Sequence, residues 1–182
     1  MHPPKDQELS TIGSCYVRNV ATIADPFNLG IIYSAMHENK KGVFSKILVG
    51  VDGSEASMEA AKYAIRIAIR YDSDLIALYV ILSDITIFGP ETPTHVDLLK
   101  QQAQEVLDEV KKISVDDRKV GIRSELIGSP SAVGGIVGFA EKEKVDLIVV
   151  GTRGRSGFKK LLLGSVASGV VNYAHCPVLI VK

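Results

Sequence analysis

A glycine-rich segment in the last quarter of the chain has the residue types and spacing of a phosphate-binding loop. It reads Gly151-Thr152-Arg153-Gly154 and, after nine further residues, Gly164-Ser165. A phosphate group needs several converging N–H donors, and glycine lets the backbone approach without a Cβ atom in the way. The hydroxyl of Ser165 would both cap a following helix and bond a phosphate oxygen, while the first amides of that helix favour an anion. The spacing therefore predicts a site for a phosphorylated ligand.

The same glycines have a simpler interpretation, in which they only permit a tight connection from a strand to a helix. Three glycines plus a serine at one strand end favour the phosphate site. The cations of the segment would screen phosphate charge or lie solvated at the surface; they are Arg153, Arg155, Lys159 and Lys160. A Walker loop is disfavoured because no Gly-Lys-Ser/Thr ends the segment, and a GxGxxG loop would follow the first strand.

Groups suited to catalysis are few. The four histidines lie in different segments, and neither a positioned nucleophile nor a set of metal ligands accompanies them. His95 is the best functional candidate among them, and His175 is explained more simply as a helix-terminal histidine. Asp52, after the first predicted strand, could hold Mg²⁺ through water or serve as a turn or helix-capping residue. The sequence therefore predicts no catalytic residue and favours holding a ligand over cleaving it.

The elements that position these residues follow from the pattern of apolar residues. From Lys46 onward, short β-branched runs alternate with stretches of helical period, which predicts βαβ units and a parallel sheet. The predicted strands are residues 47–51, 74–82, 120–127, 145–150 and 177–181. A helix is expected at 165–173, and another begins with Ser129 as its cap and Pro130 at its first position. Glycines 134, 135 and 138 inside that helix predict close packing on the sheet.

Composition limits the classes of partner. Lys plus Arg and Asp plus Glu are balanced at 21 each, so the net charge attracts neither nucleic acid nor an anionic membrane. Cys15 and Cys176 lack the spacing of metal ligands, which is typical of free thiols in a reducing compartment. No run approaches the roughly 18 apolar residues of a membrane span, and the polar start lacks the apolar core of a signal peptide. We expect a cytoplasmic protein with no nucleic-acid and no membrane partner.

Three motifs together resemble the universal stress protein family. They are Asp52-Gly53-Ser54, the run from Asp146 to Gly151, and the G-x2-G-x9-G-S loop, and the resemblance covers residues 46–182. It implies an α/β fold: an open five-stranded parallel sheet with helices on both faces, Rossmann-like, in the strand order 3-2-1-4-5. It also implies ATP or AMP as the ligand, because the ATP-binding subgroup of the family carries this loop spacing and the non-binding subgroup lacks it.

The resemblance also implies roles for residues at the matching positions. Val51 and Asp52 would lie by the ribose or adenine, and Val80 would face the adenine ring, although a buried valine needs no ligand to explain it. The expected phosphate-binding residues are Gly151, Gly154, Gly164 and Ser165, with Val166 near by and Thr152 adding a hydroxyl. The ending at residues 174–181 looks like the family's last strand, which commonly pairs antiparallel across a two-fold axis, so a homodimer through the C-terminal strand is implied.

Residues 1–45 depart from the family, whose members begin almost at the first strand. Residues 15–24 and 30–36 are moderately β-prone, which is compatible with a loose hairpin or an extended arm ahead of the domain at 46–182. The expected function is that of a homodimeric stress-response regulator or sensor that binds ATP or AMP, with at most slow hydrolysis. Two alternatives stay open: an adenine-nucleotide hydrolase or transferase, and a non-binding dimerisation scaffold whose N-terminal arm recruits a protein partner.

Overall fold

Strands and helices alternate along the part of the chain that the computed structural model describes, which is residues 20–23, 44–82, 93–116, 121–154 and 163–182. The strands are β1 (Val20–Ile23), β2 (Lys46–Gly50), β3 (Asp74–Leu82), β4 (Ile122–Ser129), β5 (Leu147–Gly151) and β6 (Val178–Val181). The helices are α1 (Glu55–Tyr71), α2 (Pro93–Asp116), α3 (Ala132–Glu143) and α4 (Ser165–Tyr173). Each helix connects two strands that run in the same direction.

The strands form one parallel sheet in the order β1-β6-β5-β2-β3-β4. Without β1 this is the expected order 3-2-1-4-5, so the predicted fold class is confirmed. β1 is a sixth strand that the sequence pattern did not place in the sheet. It pairs with the outer edge of β6, with Val20 opposite Val178 and Ile23 opposite Val181. The remainder of the proposed N-terminal hairpin or arm lies outside the described residues.

Apolar side chains on both faces of the sheet pack against helices. Odd-numbered residues of β2, such as Ile47 and Val49, pack under α1 and α2, and even-numbered Leu48 packs under α3 and α4. This alternation follows from the two-residue repeat of a strand. Because both faces are covered, the central strands read as continuous apolar runs. The small residues Ala60 and Ala64 let α1 lie close to the sheet, and both are fully buried.

Helix starts differ from the sequence expectation at two places. The cap of α3 is Ser131, whose side chain accepts a hydrogen bond from the Gly134 amide, and Ser129 is instead the last residue of β4. The cap of α4 is Gly164, which has no side chain to accept a capping hydrogen bond, and Ser165 is the first helical residue. The prediction that Ser165 caps the helix is therefore wrong, because the extended conformation of a cap falls one residue earlier.

Close packing of α3 on the sheet depends on one of its three glycines. A Cβ atom on Gly135 would lie 2.9 Å from Val80 Cγ1 and 3.1 Å from Ser129 Cβ. The same atom on Gly138 would meet nothing within 4 Å. The packing explanation is therefore correct for Gly135, which brings α3 against the end of β3, and does not extend to Gly138.

None of the helices among the described residues is both long enough and apolar enough to cross a membrane.

Candidate functional site

A cavity of about 410 Å³ opens at the carboxyl edge of the sheet, between β2 and β5. The chain runs from β2 to β3 and β4 on one side and then crosses to β5 and β6 on the other, so this is the point where the strand order reverses. Open α/β sheets bind ligands at that position, and small-molecule pockets have volumes of this size. All nine expected site residues lie on its wall: Val51, Asp52, Val80, Gly151, Thr152, Gly154, Gly164, Ser165 and Val166.

Backbone hydrogen bonds position the two described parts of the glycine loop, residues 151–154 and 163–165. The Gly164 amide donates to the Thr152 carbonyl at 2.7 Å, and the Thr152 amide donates to the Val181 carbonyl at 2.7 Å. The first bond brings the start of α4 beside the end of β5, and the second ties the loop to β6. Arg155, Lys159 and Lys160 lie outside the described residues, whereas Arg153 is exposed on the cavity wall.

The glycines of this loop have packing roles inside the protein. A Cβ atom on Gly151 would lie 2.6 Å from the backbone carbon of Ala56, so the loop lies directly against the first turn of α1. A Cβ atom on Gly154 would lie 2.7 Å from Asp52 Oδ2, and one on Gly164 would lie 3.0 Å from the Thr152 carbonyl oxygen. The simpler interpretation of the glycines is thus correct in part. It does not exclude a ligand role, since each of these glycines also lines the cavity.

The turn after β2 fixes the orientation of the Asp52 carboxylate. Oδ1 accepts hydrogen bonds from the Ser54 amide at 3.0 Å and from the Ser54 hydroxyl at 2.6 Å. Ser54 is the cap of α1, so the helix-capping role considered for Asp52 is wrong and the turn role is correct. The Val51 amide donates to the Leu78 carbonyl at 2.9 Å, which ties the turn to β3. Asp52 therefore presents a half-buried carboxylate in a fixed position on the cavity wall.

The start of α4 forms one part of the cavity wall. Ser165, Val166 and Ala167 form its first turn and all three lie on the wall. The first amides of an α-helix have no acceptor within the helix, and the helix dipole makes this end positive. Ser165 and Val166 are exposed, so the first turn is accessible from the cavity. A group with negative charge is the ligand that this end of the cavity favours.

Much of the remaining wall is apolar and includes residues that the sequence did not indicate. Val51 is 5% exposed, and Val80 and Ile136 continue the apolar surface from β3 to α3. Leu82, 61% exposed, and Leu99 of α2 lie at the margin. An apolar surface beside a carboxylate suits a flat heterocycle that carries a polar ring or sugar. Ile136 and Leu99 were missed because their helical spacing indicates only core packing, and their place follows from the topology.

Metal and catalytic groups are scarce on this wall. Within the described ranges, no group of three or more His, Cys, Asp or Glu residues could hold a metal ion. The side chain of His95 lies outside the described part of the chain. His175 follows α4, and its Nε2 atom lies 3.1 Å from the Val145 carbonyl oxygen, so its ring joins the end of α4 to the start of β5. That contact gives His175 a structural role away from the cavity.

A cluster of charged residues lies at the amino ends of the strands, on the side of the sheet away from the cavity. Arg123 Nη2 is 2.6 Å from Glu143 Oε2, and Lys46 Nζ donates to the Glu143 carbonyl at 2.8 Å. The hydrogen bond from Arg123 holds the pKa of Glu143 below its ordinary value. Near by, Asp146 Oδ2 accepts from the Ser45 amide at 2.8 Å and so aligns the starts of β2 and β5. These charges connect the starts of β2 and β4 to the end of α3, and the start of β2 to that of β5, and none of them lines the cavity.

Comparison with known proteins gives one consistent family. The sequence model described as "Universal stress protein family" matches residues 44–182. A universal stress protein of Methanocaldococcus jannaschii is 43% identical over 155 residues, covering 83% of this chain and 89% of its own length.

Solved structures that resemble this chain are also universal stress proteins. The universal stress protein UspA from Lactobacillus plantarum is similar with a TM-score of 0.64 at 28% identity, covering 79% of this chain and 100% of its own. A universal stress protein in complex with cAMP is similar with a TM-score of 0.63 at 26% identity, covering 77% of this chain and 98% of its own.

Proposed function

The chain belongs to the universal stress protein family, and on that premise we propose that it binds ATP or AMP as a regulatory or sensor protein of the stress response. The observation that carries the proposal is the convergence of nine candidate residues, from separate segments of the chain, on one cavity at the reversal of strand order. The structure of a universal stress protein in complex with cAMP supports an adenine nucleotide as the ligand class. The cytoplasmic location belongs to the same proposal.

In the proposed pose the phosphates lie against Gly154 and the first turn of α4. Charge-assisted hydrogen bonds from backbone amides are among the strong ones, and the positive helix end adds to them. The adenine ring lies on the apolar surface formed by Val51 and Val80. The Asp52 carboxylate, held by Ser54, accepts a hydrogen bond from a ribose hydroxyl. Any Mg²⁺ would be bound chiefly by the phosphates, with Asp52 reached through water.

The wall favours holding a nucleotide over cleaving it. Asp52 is the one carboxylate on the cavity wall within the described ranges, and its Oδ1 atom already accepts two hydrogen bonds from Ser54. Hydrolysis would need a base positioned on an attacking water, or a metal set. We therefore propose at most slow ATP hydrolysis. A turnover rate well above background that is lost in Asp52→Ala would instead favour the hydrolase or transferase alternative.

A charge placed at the start of α4 tests the phosphate position. Val166 is exposed and lines the cavity, so Val166→Glu puts a negative charge beside the proposed phosphates without disturbing the core. An acidic residue in the first turn of a helix is also favourable for folding. We expect the affinity for ATP, measured by calorimetry, to fall at least about tenfold, which is about 1.4 kcal/mol.

Val166→Gln is the matched control, because it has nearly the same shape as the glutamate and no charge. We expect its affinity to stay within about threefold of the wild type. Equal affinities for the glutamate and glutamine variants would place the phosphates elsewhere. No heat with ATP or AMP in the wild-type chain would leave the non-binding scaffold as the better account.

A further inference from the structure

The Ser54 hydroxyl lies where three segments of the protein meet. Its Oγ atom is 2.6 Å from Asp52 Oδ1, in the turn after β2, and 3.4 Å from the Arg153 carbonyl oxygen, in the glycine loop. The same oxygen accepts a hydrogen bond from the Ser57 amide, in the first turn of α1, at 3.3 Å. A serine hydroxyl donates one hydrogen bond. Because the carboxylate is both the closer and the charged acceptor, the proton of Ser54 goes to Asp52.

The two oxygens of the Asp52 carboxylate face different neighbours. Oδ1 accepts from both the amide and the hydroxyl of Ser54. Oδ2 lies on the side of the glycine loop, 2.7 Å from the position that a Cβ atom on Gly154 would take. Two hydrogen bonds to one oxygen restrict the rotation of the carboxylate. Ser54 therefore holds Oδ2 beside the loop that is proposed to bind the phosphates.

Helix capping alone does not account for this arrangement. Ser54 is the cap of α1, and for that role its side-chain oxygen needs only to accept from the Ser57 amide. That bond, at 3.3 Å, is longer than most hydrogen bonds from a backbone amide. The hydrogen bond that Ser54 donates to Asp52 is the shorter one, at 2.6 Å, and has no part in capping. The hydroxyl thus has a second role, which concerns the carboxylate.

We propose that Ser54 is a positioning residue for ribose recognition, whose hydroxyl holds Asp52 so that the cavity selects nucleotides with free ribose hydroxyls. The inference rests on the nucleotide-binding function proposed above, in which Asp52 accepts a hydrogen bond from the ribose. Hydrogen bonds weaken steeply when their angle is poor, so a carboxylate that can swing recognises a hydroxyl less well. A carboxylate that is already held in place also lowers the ordering cost of binding.

Sugar selectivity of the full-length protein tests this role. ATP and dideoxy-ATP, which lacks both ribose hydroxyls, are titrated separately by calorimetry. The readout is the selectivity ratio, defined as the dissociation constant for dideoxy-ATP divided by that for ATP. Damage to the fold or to the phosphate site weakens both nucleotides alike and leaves this ratio unchanged. We expect a ratio of at least about ten in the wild type and below about two in Asp52→Ala.

Ser54→Gly separates the hydroxyl from the rest of the turn. It keeps the backbone amide that also donates to Asp52, and glycine is tolerated as a helix cap. We expect its selectivity ratio to fall at least about threefold below that of the wild type. Ser54→Thr retains a hydroxyl at this position and is the matched control. Its ratio should stay within about twofold of the wild-type ratio.

Ser54→Ala separates positioning from capping, because alanine is a poor cap. This variant should unfold at a lower temperature than Ser54→Gly and yet have the same selectivity ratio. Stability then follows the cap, whereas the ratio follows the hydroxyl.

Three results would overturn the inference while leaving nucleotide binding in place. They are a wild-type ratio near one, a wild-type ratio retained in both Ser54→Gly and Ser54→Ala, and a ratio in Ser54→Thr as low as that in Ser54→Gly. Absence of heat with ATP in the wild type would contradict the proposed function itself, and the inference with it.

Discussion

At the scale of single residues, the same glycines of the loop serve packing and the proposed ligand binding. Gly151 is required by the backbone of α1, which a Cβ atom would approach to 2.6 Å. At Gly154 the nearest atom to the Cβ position belongs to a side chain, since it is Asp52 Oδ2 at 2.7 Å. The two glycines look equivalent in the sequence, and the structure gives them different neighbours. Substitution at each should therefore affect a different property.

Gly151→Ala should lower the free energy of unfolding by at least about 2 kcal/mol, because a backbone cannot yield to an added methyl group as a side chain can. Gly154→Ala should cost less stability than Gly151→Ala, since the added methyl group meets the Asp52 side chain and no backbone atom. Displacing the carboxylate from its hydrogen bonds with Ser54 should nevertheless weaken ATP binding at least about fivefold. Urea unfolding and calorimetry on both variants measure the two effects. A stable Gly151→Ala, or a Gly154→Ala that binds ATP normally, would contradict these roles.

Cys176 should be an unreactive thiol at neutral pH. Burial, aided by the negative charge of Asp146, raises its pKa from 9.0 to about 11, and the thiolate is the reactive form. In a Cys15→Ser variant, we expect alkylation by iodoacetamide at pH 8 to be at least about tenfold slower in the folded chain than in denaturant.

The raised pKa also fixes the sign of a stability effect. The folded chain retains the Cys176 proton longer than the unfolded chain, so this contribution to stability is complete below pH 9.0 and is lost as the pH rises through about 11. When the pH is raised from 9.0 to about 11, the free energy of unfolding should therefore fall less in Cys15→Ser/Cys176→Ala than in its Cys15→Ser parent. Equal alkylation rates in folded and denatured chains would show that burial does not protect the thiol.

At the scale of elements, the apolar pattern predicted the strands and helices well and their ends less well. The strand at 74–82 and the helix at 165–173 agree with β3 and α4, whereas β4 lies two residues later than expected. Caps were missed where several serines follow one another, because Ser129 and Ser131 offer the same hydroxyl and the sequence does not say which backbone is extended.

Two glycines of α3 separate packing from helix propensity. Gly135→Ala should destabilise the protein by about 1–2 kcal/mol, because its Cβ would lie 2.9 Å from Val80. Gly138→Ala, on the exposed side with nothing within 4 Å, should stabilise it by up to about 1 kcal/mol through helix propensity. Thermal unfolding of the two variants should therefore shift in opposite directions. If both variants shift the unfolding temperature in the same direction, Gly135 is not needed for the close approach of α3 to β3.

At the scale of the whole molecule, the sheet topology explains both what the sequence revealed and what it concealed. The candidate site was predictable because Asp52 and the glycine loop follow strands whose carboxyl ends meet at one edge. Leu99 and Ile136 were not, since their contribution depends on how α2 and α3 pack at that edge. β1 was not predictable either, because four β-prone residues carry no signal for a partner 158 residues away in sequence, as for Val20 and Val178.

The central claim is that this cavity holds one adenine nucleotide per chain. Native mass spectrometry of the full-length protein, incubated with ATP or AMP and then exchanged into volatile buffer, tests it most directly. The account predicts one bound nucleotide per chain in the wild type, and much less of the bound form in Val166→Glu than in Val166→Gln. A wild-type chain that keeps its unliganded mass with both nucleotides, or a Val166→Glu chain that retains as much nucleotide as Val166→Gln, would contradict it.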